Sequence, residues 1–420
     1  MKLHRISAAL WATAEYLFYP SLMILATPFL VRNLGAGPFG LWMLVATVVG
    51  GWGTVNFGSS TMITRYLAMY QNETELGHIK QIIRFGLGRA LIGGTLAGGS
   101  LMIAAPWLAK GLFQNMGDHE LVTYSLMLAG FLLFLAQVEF TFKAALKGFE
   151  LFGLAARLEV VCKLAAVLIS LLIVKIGLGL IGVLTVALSF AIINCLVYGM
   201  ALSKVIGCQI WKPQFSAPIS GMSSFASWSY LQIFAGALFH QFDRFLIGAV
   251  LGAVPLAAYT ICLQVAQQIH AMPTAIFSFL LPRLSKKNLP FDQAHDIVLI
   301  GILVSLVLGL PVIFFAPVIL ELWMGTSFAI EYETLLRLLA GSYLLLSISV
   351  VPHYLNLAQG HVQFISMLNV MGSFITLFLC LWLINDFGID GVAGSKFAYG
   401  LVLLVAYMRL RGNKFDLAKN

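Results

Sequence analysis

Charged residues are scarce in this chain, with Asp, Glu, Lys and Arg making up 10% of its 420 residues. Ordinary soluble domains carry about 25%, so water is not the solvent this sequence is matched to. Cysteine is rare as well. Cys162, Cys195, Cys208, Cys262 and Cys380 stand apart with no C-x-x-C spacing, which argues against a disulfide framework or a thiolate metal cluster and leaves small apolar residues. No hydrolytic triad, metal-ligand cluster, nucleotide-cradling glycine loop or ATPase domain can be traced. No enzyme, metal or organic cofactor is expected.

What fills the chain instead is apolar sequence: 60% of residues are hydrophobic, the mean hydropathy is +0.93, and 39 residues are glycine. A helix of about 20 residues crosses the roughly 30 Å hydrocarbon layer. Twelve such segments can be laid down, at about 9–31, 39–62, 85–108, 121–142, 158–176, 178–201, 222–249, 254–280, 297–320, 335–357, 363–384 and 389–408. They are apolar on all sides, whereas a membrane β-strand alternates over about ten residues. The expected class is all-α and polytopic. Span 1 continues into many others without a small-residue cleavage site before a soluble domain, so it is expected to stay in the mature protein.

Lys and Arg gather on the cytoplasmic side of membrane proteins. With both termini inside, Lys2, Arg5, Arg65, Lys80, Arg84, Lys143, Lys147, Lys204 and the basic C-terminal tail fall on one side. Arg32, Lys110 and Lys175 fall on the other, among Asp118, Glu120, Glu321, Asp386 and Asp390. The net charge of +8 is therefore a topology signal, drawn to anionic headgroups rather than to nucleic acid.

The chain also repeats itself. LGAGPFGLW (34–42) is echoed by LGAVPLAAY (251–259), APWL (105–108) by APVI (316–319), and GLIGV (179–183) by GIDGV (388–392). Three matches in one order at nearly constant displacement (217, 211 and 209 residues) point to a duplicated six-span unit. The expected division is an N-terminal bundle 1–202, a basic cytoplasmic linker 203–221 and a C-terminal bundle 222–420, with a cavity between the bundles.

Charges inside such spans cost at least about 2.5–3.5 kcal/mol each and need a partner, a wet cavity or a boundary position. Arg89, Lys163, Arg244 and Arg337 form a buried basic set that would attract an anion such as phosphate or pyrophosphate, Arg through its rigid fork and Lys as a point charge. Gln264 and Gln268, with Gln232, His240, Gln241, Gln267 and His270, add hydrogen-bonding groups suited to hydroxyl-rich cargo. Glu15, Asp243 and Asn56 are the coupling or structural polar positions. Each has a plainer reading: a helix–helix contact for the amides, a snorkelling anchor for Arg337, a buried hydrogen bond for Glu15.

RNLGAGPFGLW after the first span, NFGSSTMITRYLA closing the second, and FHQFDRFLIGAVLGAVPLAAY opening the second half resemble the bacterial polysaccharide transporter family. Within it the likeness is to the O-antigen flippases of the multidrug/oligosaccharidyl-lipid/polysaccharide exporter superfamily. The resemblance implies an inner-membrane protein that moves undecaprenyl-pyrophosphate-linked oligosaccharide to the periplasmic leaflet by alternating access, with H+ or Na+ as coupling ion. Membrane lipids, an O-antigen polymerase and a chain-length regulator are the implied partners. Asp243–Arg244 matches the acidic–basic pair of the family at this point, and Asn56 stands where relatives often carry an acid. A multidrug or metabolite antiporter on the same scaffold, and a non-transporting subunit of a glycan-assembly complex, remain the alternatives.

Overall fold

The computed structural model describes residues 2–55, 58–70, 76–207, 209–278, 291–358 and 361–407; for 2–17, 52–55, 76, 228, 231–240, 278, 291–295, 357–358 and 362 it describes backbone alone. Lipid offers peptide groups no hydrogen-bond partner, so apolar segments bond within themselves as helices. The described residues form α1 (Lys2–Leu34), α2 (Ala36–Val55), α3 (Ser59–Tyr70), α4 (Leu76–Lys110), α5 (His119–Gly148), α6 (Phe152–Lys175) and α7 (Gly179–Ile206). They continue with α8 (Met222–Val250), α9 (Ala253–Ser278), α10 (Phe291–Phe314), α11 (Ala316–Met324), α12 (Thr326–Ile348), α13 (Val350–Ala358) and α14 (Val362–Leu404). Among the described residues, six stretches are long and apolar enough to cross a membrane: Gly77–Lys110, His119–Gly148, Gly179–Ile206, Asp296–Phe314, Thr326–Asn356 and Gln363–Leu404. The protein is an all-α, polytopic membrane protein. Its outward faces carry Leu25, Ile103, Trp107, Val307, Leu322 and Phe378 largely exposed, as contact with acyl chains requires.

Several expected spans are subdivided, and proline explains two of the breaks. The segment 297–320 divides at Phe315 because Pro317 starts a new helix, α11, within its first turn. The segment 335–357 divides after Ile348, four residues before Pro352, whose ring opposes that residue's carbonyl. The segments 363–384 and 389–408 are joined as the 43-residue α14, which turns only at Gly388 (φ 57°, ψ −135°).

Glycines at positive φ mark most helix junctions and the turn inside α14, and six of them fall into three pairs. Gly35 (φ 85°) separates α1 from α2 and Gly252 (φ 95°) separates α8 from α9, the same position of the LGA motif each time. Gly179 (φ 58°) and Gly388 (φ 57°) open GLIGV and GIDGV. A third pair escapes the sequence comparison: Gly117 (φ 114°) and Gly325 (φ 105°), each after a methionine and next to the start of a helix. L side chains rarely adopt these angles, so the repeat is kept where backbone geometry demands glycine.

By packing, the chain forms two compact units, Met1–Ala257 and Ala258–Asn420. In the first, α4 and α5 approach closely through Gly94, Gly98 and Gly130; a Cβ on Gly98 would lie 2.4 Å from the Gly130 carbonyl oxygen. A second glycine seam runs along α2 and the entry to α3, against α8 and the start of α9. Cβ atoms at Gly40 and Gly58 would meet the carbonyl oxygens of Ala253 and Ala226 at 1.9 and 1.8 Å, and Gly51 abuts Gln241. Small residues replace the hydrophobic drive that lipid removes, by letting backbones touch. The segment after α7 is docked rather than loose: Ile210 is fully buried, Trp211 stacks edge-on against Phe142 at 5.2 Å, and Gln214 N donates to Arg84 O at 2.9 Å. In the second unit Gly341 seats Phe397, Gly372 seats Tyr399 and Gly400 seats Leu345, closing α12 on α14 and fixing the turn within α14.

Three substitutions separate backbone strain from contact. Gly394→Ala, which meets nothing within 4 Å, should leave thermal unfolding in detergent unchanged. Gly388→Ala should destabilise by about 1–3 kcal/mol through strain alone. Gly252→Ala should be the worst, because its Cβ would also lie 2.2 Å from Asn115 O. Equal melting temperatures for all three would contradict the assignment of these junctions.

Candidate functional site

Polar side chains inside the first unit fall into two groups. In one, they link neighbouring helices in a ladder: Asn194 Nδ2 on α7 donates to Glu139 Oε2 on α5 at 3.3 Å, and Lys143, one turn further along α5, is ion-paired with Glu159 on α6. Glu159 also holds Lys163, one turn along α6, and Lys163 Nζ lies 4.7 Å from the centre of the Tyr19 ring on α1. Lys143 and Lys163 are both within electrostatic reach of Glu139. Two lysines and two glutamates thus balance to zero, which is how four charges are tolerated where desolvation is costly.

The second group faces α8. Arg89 on α4 is half-buried and its Nη1 donates to Ser223 Oγ at 3.5 Å. One turn earlier, Arg84 Nη2 donates to Gln209 O at 3.2 Å, and Gly88 leaves room for Gln214 O, so the docked linker flanks Arg89. Further along α8, Asp243 is 4% exposed, and Arg244 Nη1 donates to Gln241 Oε1 at 2.9 Å. Gln241 is the side chain packed on Gly51 of α2. Adjacent helical positions diverge by about 100°, so Asp243 and Arg244 address different neighbours.

In the second unit, Gln268 Nε2 donates to Gln264 O at 3.4 Å, Gln267 Nε2 to Tyr343 Oη at 3.5 Å, and His270 Nε2 and Thr274 Oγ1 lie 3.2 Å apart. Arg337 is 43% exposed and bonds Glu333 one turn away at 3.4 Å. The side chains of Glu15, Gln232 and His240 lie outside the described residues, as does Asn56 altogether.

The structure therefore brings Lys163 to a carboxylate, Arg89 to a hydroxyl and Arg244 to an amide. Glu159, Asn194 and Ser223 were not singled out from sequence. Glu139–Lys143 and Glu159–Lys163 are both Glu-x-x-x-Lys spacings, the i,i+4 signal that would have found the ladder. Among the described residues no cluster of His, Cys, Asp and Glu is arranged to hold a metal ion.

Removing Glu159 should be more damaging than removing a lysine with it. Glu159→Gln leaves two ammonium groups opposed, at a cost of about 3–5 kcal/mol. The double variant Glu159→Gln, Lys163→Met should recover a good part of that loss in detergent melting temperature. A double variant no more stable than the single one would refute the ladder's pairing.

A family model described as polysaccharide biosynthesis protein matches residues 9–288. A candidate O-antigen transporter of Shigella flexneri is 20% identical over 404 residues, covering 93% of each chain. Among solved structures, an inward-facing multidrug resistance MATE family transporter of the MOP superfamily superposes with a TM-score of 0.71 at 15% identity, over 95% of this chain and 97% of that one. The lipid II flippase MurJ in its inward closed conformation gives 0.69 at 13% identity, over 98% and 88%. At these identities the structural likeness establishes the shared fold.

Proposed function

From the premise that this chain belongs to the polysaccharide biosynthesis protein family, we propose that it is a flippase carrying undecaprenyl-pyrophosphate-linked O-antigen oligosaccharide from the cytoplasmic to the periplasmic leaflet. It is a multi-pass inner-membrane protein of a transporter class, not an enzyme class. The family match over 9–288 carries the reading, and the O-antigen transporter relative aligned over 93% of both chains gives it its cargo.

In this reading twelve spans form two six-helix bundles, 1–202 and 222–420, with the 203–221 linker and both termini in the cytoplasm. The paired left-handed glycines support the duplication. The cargo path opens inward, admits glycan and pyrophosphate, and closes as the outer side opens, while the prenyl tail stays in lipid. Arg89 and Arg244, each donating to a neutral side chain, grip the pyrophosphate oxygens with planar N–H forks. Lys163, Arg337, Gln264 and Gln268 complete the cargo-binding set, Lys163 and Arg337 by exchanging a carboxylate partner for the cargo. Glu15 and Asp243 are the carboxyls through which H+ or Na+ biases the cycle, with Asn56 as a third coupling or structural polar position. A polymerase and a chain-length regulator receive the product.

A multidrug or metabolite antiporter is the second reading, supported by the fold shared with the MATE transporter; a non-transporting assembly subunit is the third. Reconstitution in liposomes separates them. Labelled lipid-linked glycan should flip, and Arg89→Ala and Arg244→Ala should each slow it at least about tenfold, the loss of one charge-assisted contact. Uptake of a cationic dye without glycan flipping would favour the antiporter, movement of neither the assembly subunit, and wild-type flipping by both variants would remove the arginines from the cargo site.

A further inference from the structure

Beside the ladder, and sharing Lys143 with it, a cleft of about 530 Å³ opens between α3 and the last turns of α5. Ser60, Thr61, Thr64 and Arg65 line it from α3, and Phe140, Lys143, Ala144 and Lys147 from α5. The geometry points to a binding site here for the phosphate-bearing headgroup of a lipid, separate from the route of the cargo.

The polarity of the lining makes the case. Thr64 Oγ1 donates to Ser60 O at 2.9 Å and lies 3.2 Å from Ala144 O, while Ser60 Oγ reaches Phe140 O at 3.4 Å. Those hydroxyls tie α3 to α5 through backbone carbonyls, so the charged hydrogen-bonding groups at the cleft are cationic donors. Among the described residues its lining contains no carboxylate. Lys143 shares Glu159 with Lys163, and Arg65 and Lys147 complete the cationic side of the lining. Arg65 is exposed, and its Cζ stands 4.4 Å above the Phe225 ring. A guanidinium stacked by its face keeps its N–H bonds in the plane, the edge that meets phosphate oxygens in pairs.

Position and size select a lipid over a soluble anion. The cleft sits where apolar helices end, at the pole of the unit that also carries Arg84 and the docked linker. Headgroup phosphates lie at that depth, and each Lys or Arg near an anionic surface adds attraction of about 1 kcal/mol. A volume of about 530 Å³ falls within the range of small-molecule sites. Phosphatidylglycerol and a prenyl pyrophosphate share this chemistry, a phosphate ester on an apolar tail.

The test uses the full chain in phosphatidylcholine nanodiscs, with binding of phosphatidylglycerol read by native mass spectrometry. Arg65→Gln with Lys147→Gln should weaken it by about tenfold or more, while the charge-matched Lys80→Gln with Lys204→Gln, outside the cleft, should bind as the parent does. Arg65→Lys should retain part of the affinity, and an unchanged melting temperature in all variants excludes misfolding. Resistance to displacement by farnesyl pyrophosphate would assign the site to phosphatidylglycerol and support it, whereas displacement would make the cleft part of the cargo route and overturn its separateness. Equal losses in both double variants, undiminished binding in the first, or displacement by inorganic phosphate at the same concentration would overturn it. Glycan flipping is not the readout, so failure here leaves the proposed function standing.

Discussion

A peptide bond in hydrocarbon has nowhere to send its hydrogen bonds except along its own helix, and the architecture of this protein follows from that restriction. Helices become the only usable elements. Because lipid is as apolar as leucine, their association must come from close fit and not from escape from water. Glycine supplies the fit. It brings α4 within backbone reach of α5, lays α2 along α8, and seats Phe397, Tyr399 and Leu345 inside the second unit. The same residue permits the left-handed turns at which one helix ends and the next begins.

Charge obeys the same restriction from the other side. Among the described residues of the first unit, Glu139, Lys143, Glu159 and Lys163 form a ladder spanning α5 and α6, with Asn194 and Tyr19 at its two ends. Arg89 and Arg244 sit apart from that ladder, Arg89 reaching Ser223 of α8 and Arg244 bonding Gln241 within α8. The basic pole around Arg65 and Lys147 belongs to a third category, charge placed where lipid headgroups lie.

Helical class, membrane residence and family were legible before any coordinates, because each depends on the sum of many residues: apolar length, scarcity of charge, and motifs such as LGAGPFG and FHQFDRF. The helix break at Pro352 was legible in principle but was read through, since a proline in a long apolar run is compatible with either a kink or a new start. The partner of Lys163 was harder. Its i,i+4 glutamate is written in the sequence, yet that Lys143 reaches the same carboxylate depends on α5 and α6 lying side by side.

By itself, then, the sequence determined the solvent, the helical class and the family, because hydropathy and short motifs act over distances of one helix. Tertiary structure alone decided which cation meets an acceptor on another helix: Lys143 the glutamate of α6, Arg89 a serine of α8. It also decided that the segment after α7 folds back on Arg84, and that α3 and α5 part to leave a basic cleft. These contacts join residues that are up to 134 positions apart. No local pattern encodes which faces of two helices will meet, because that is settled by the packing of the whole unit.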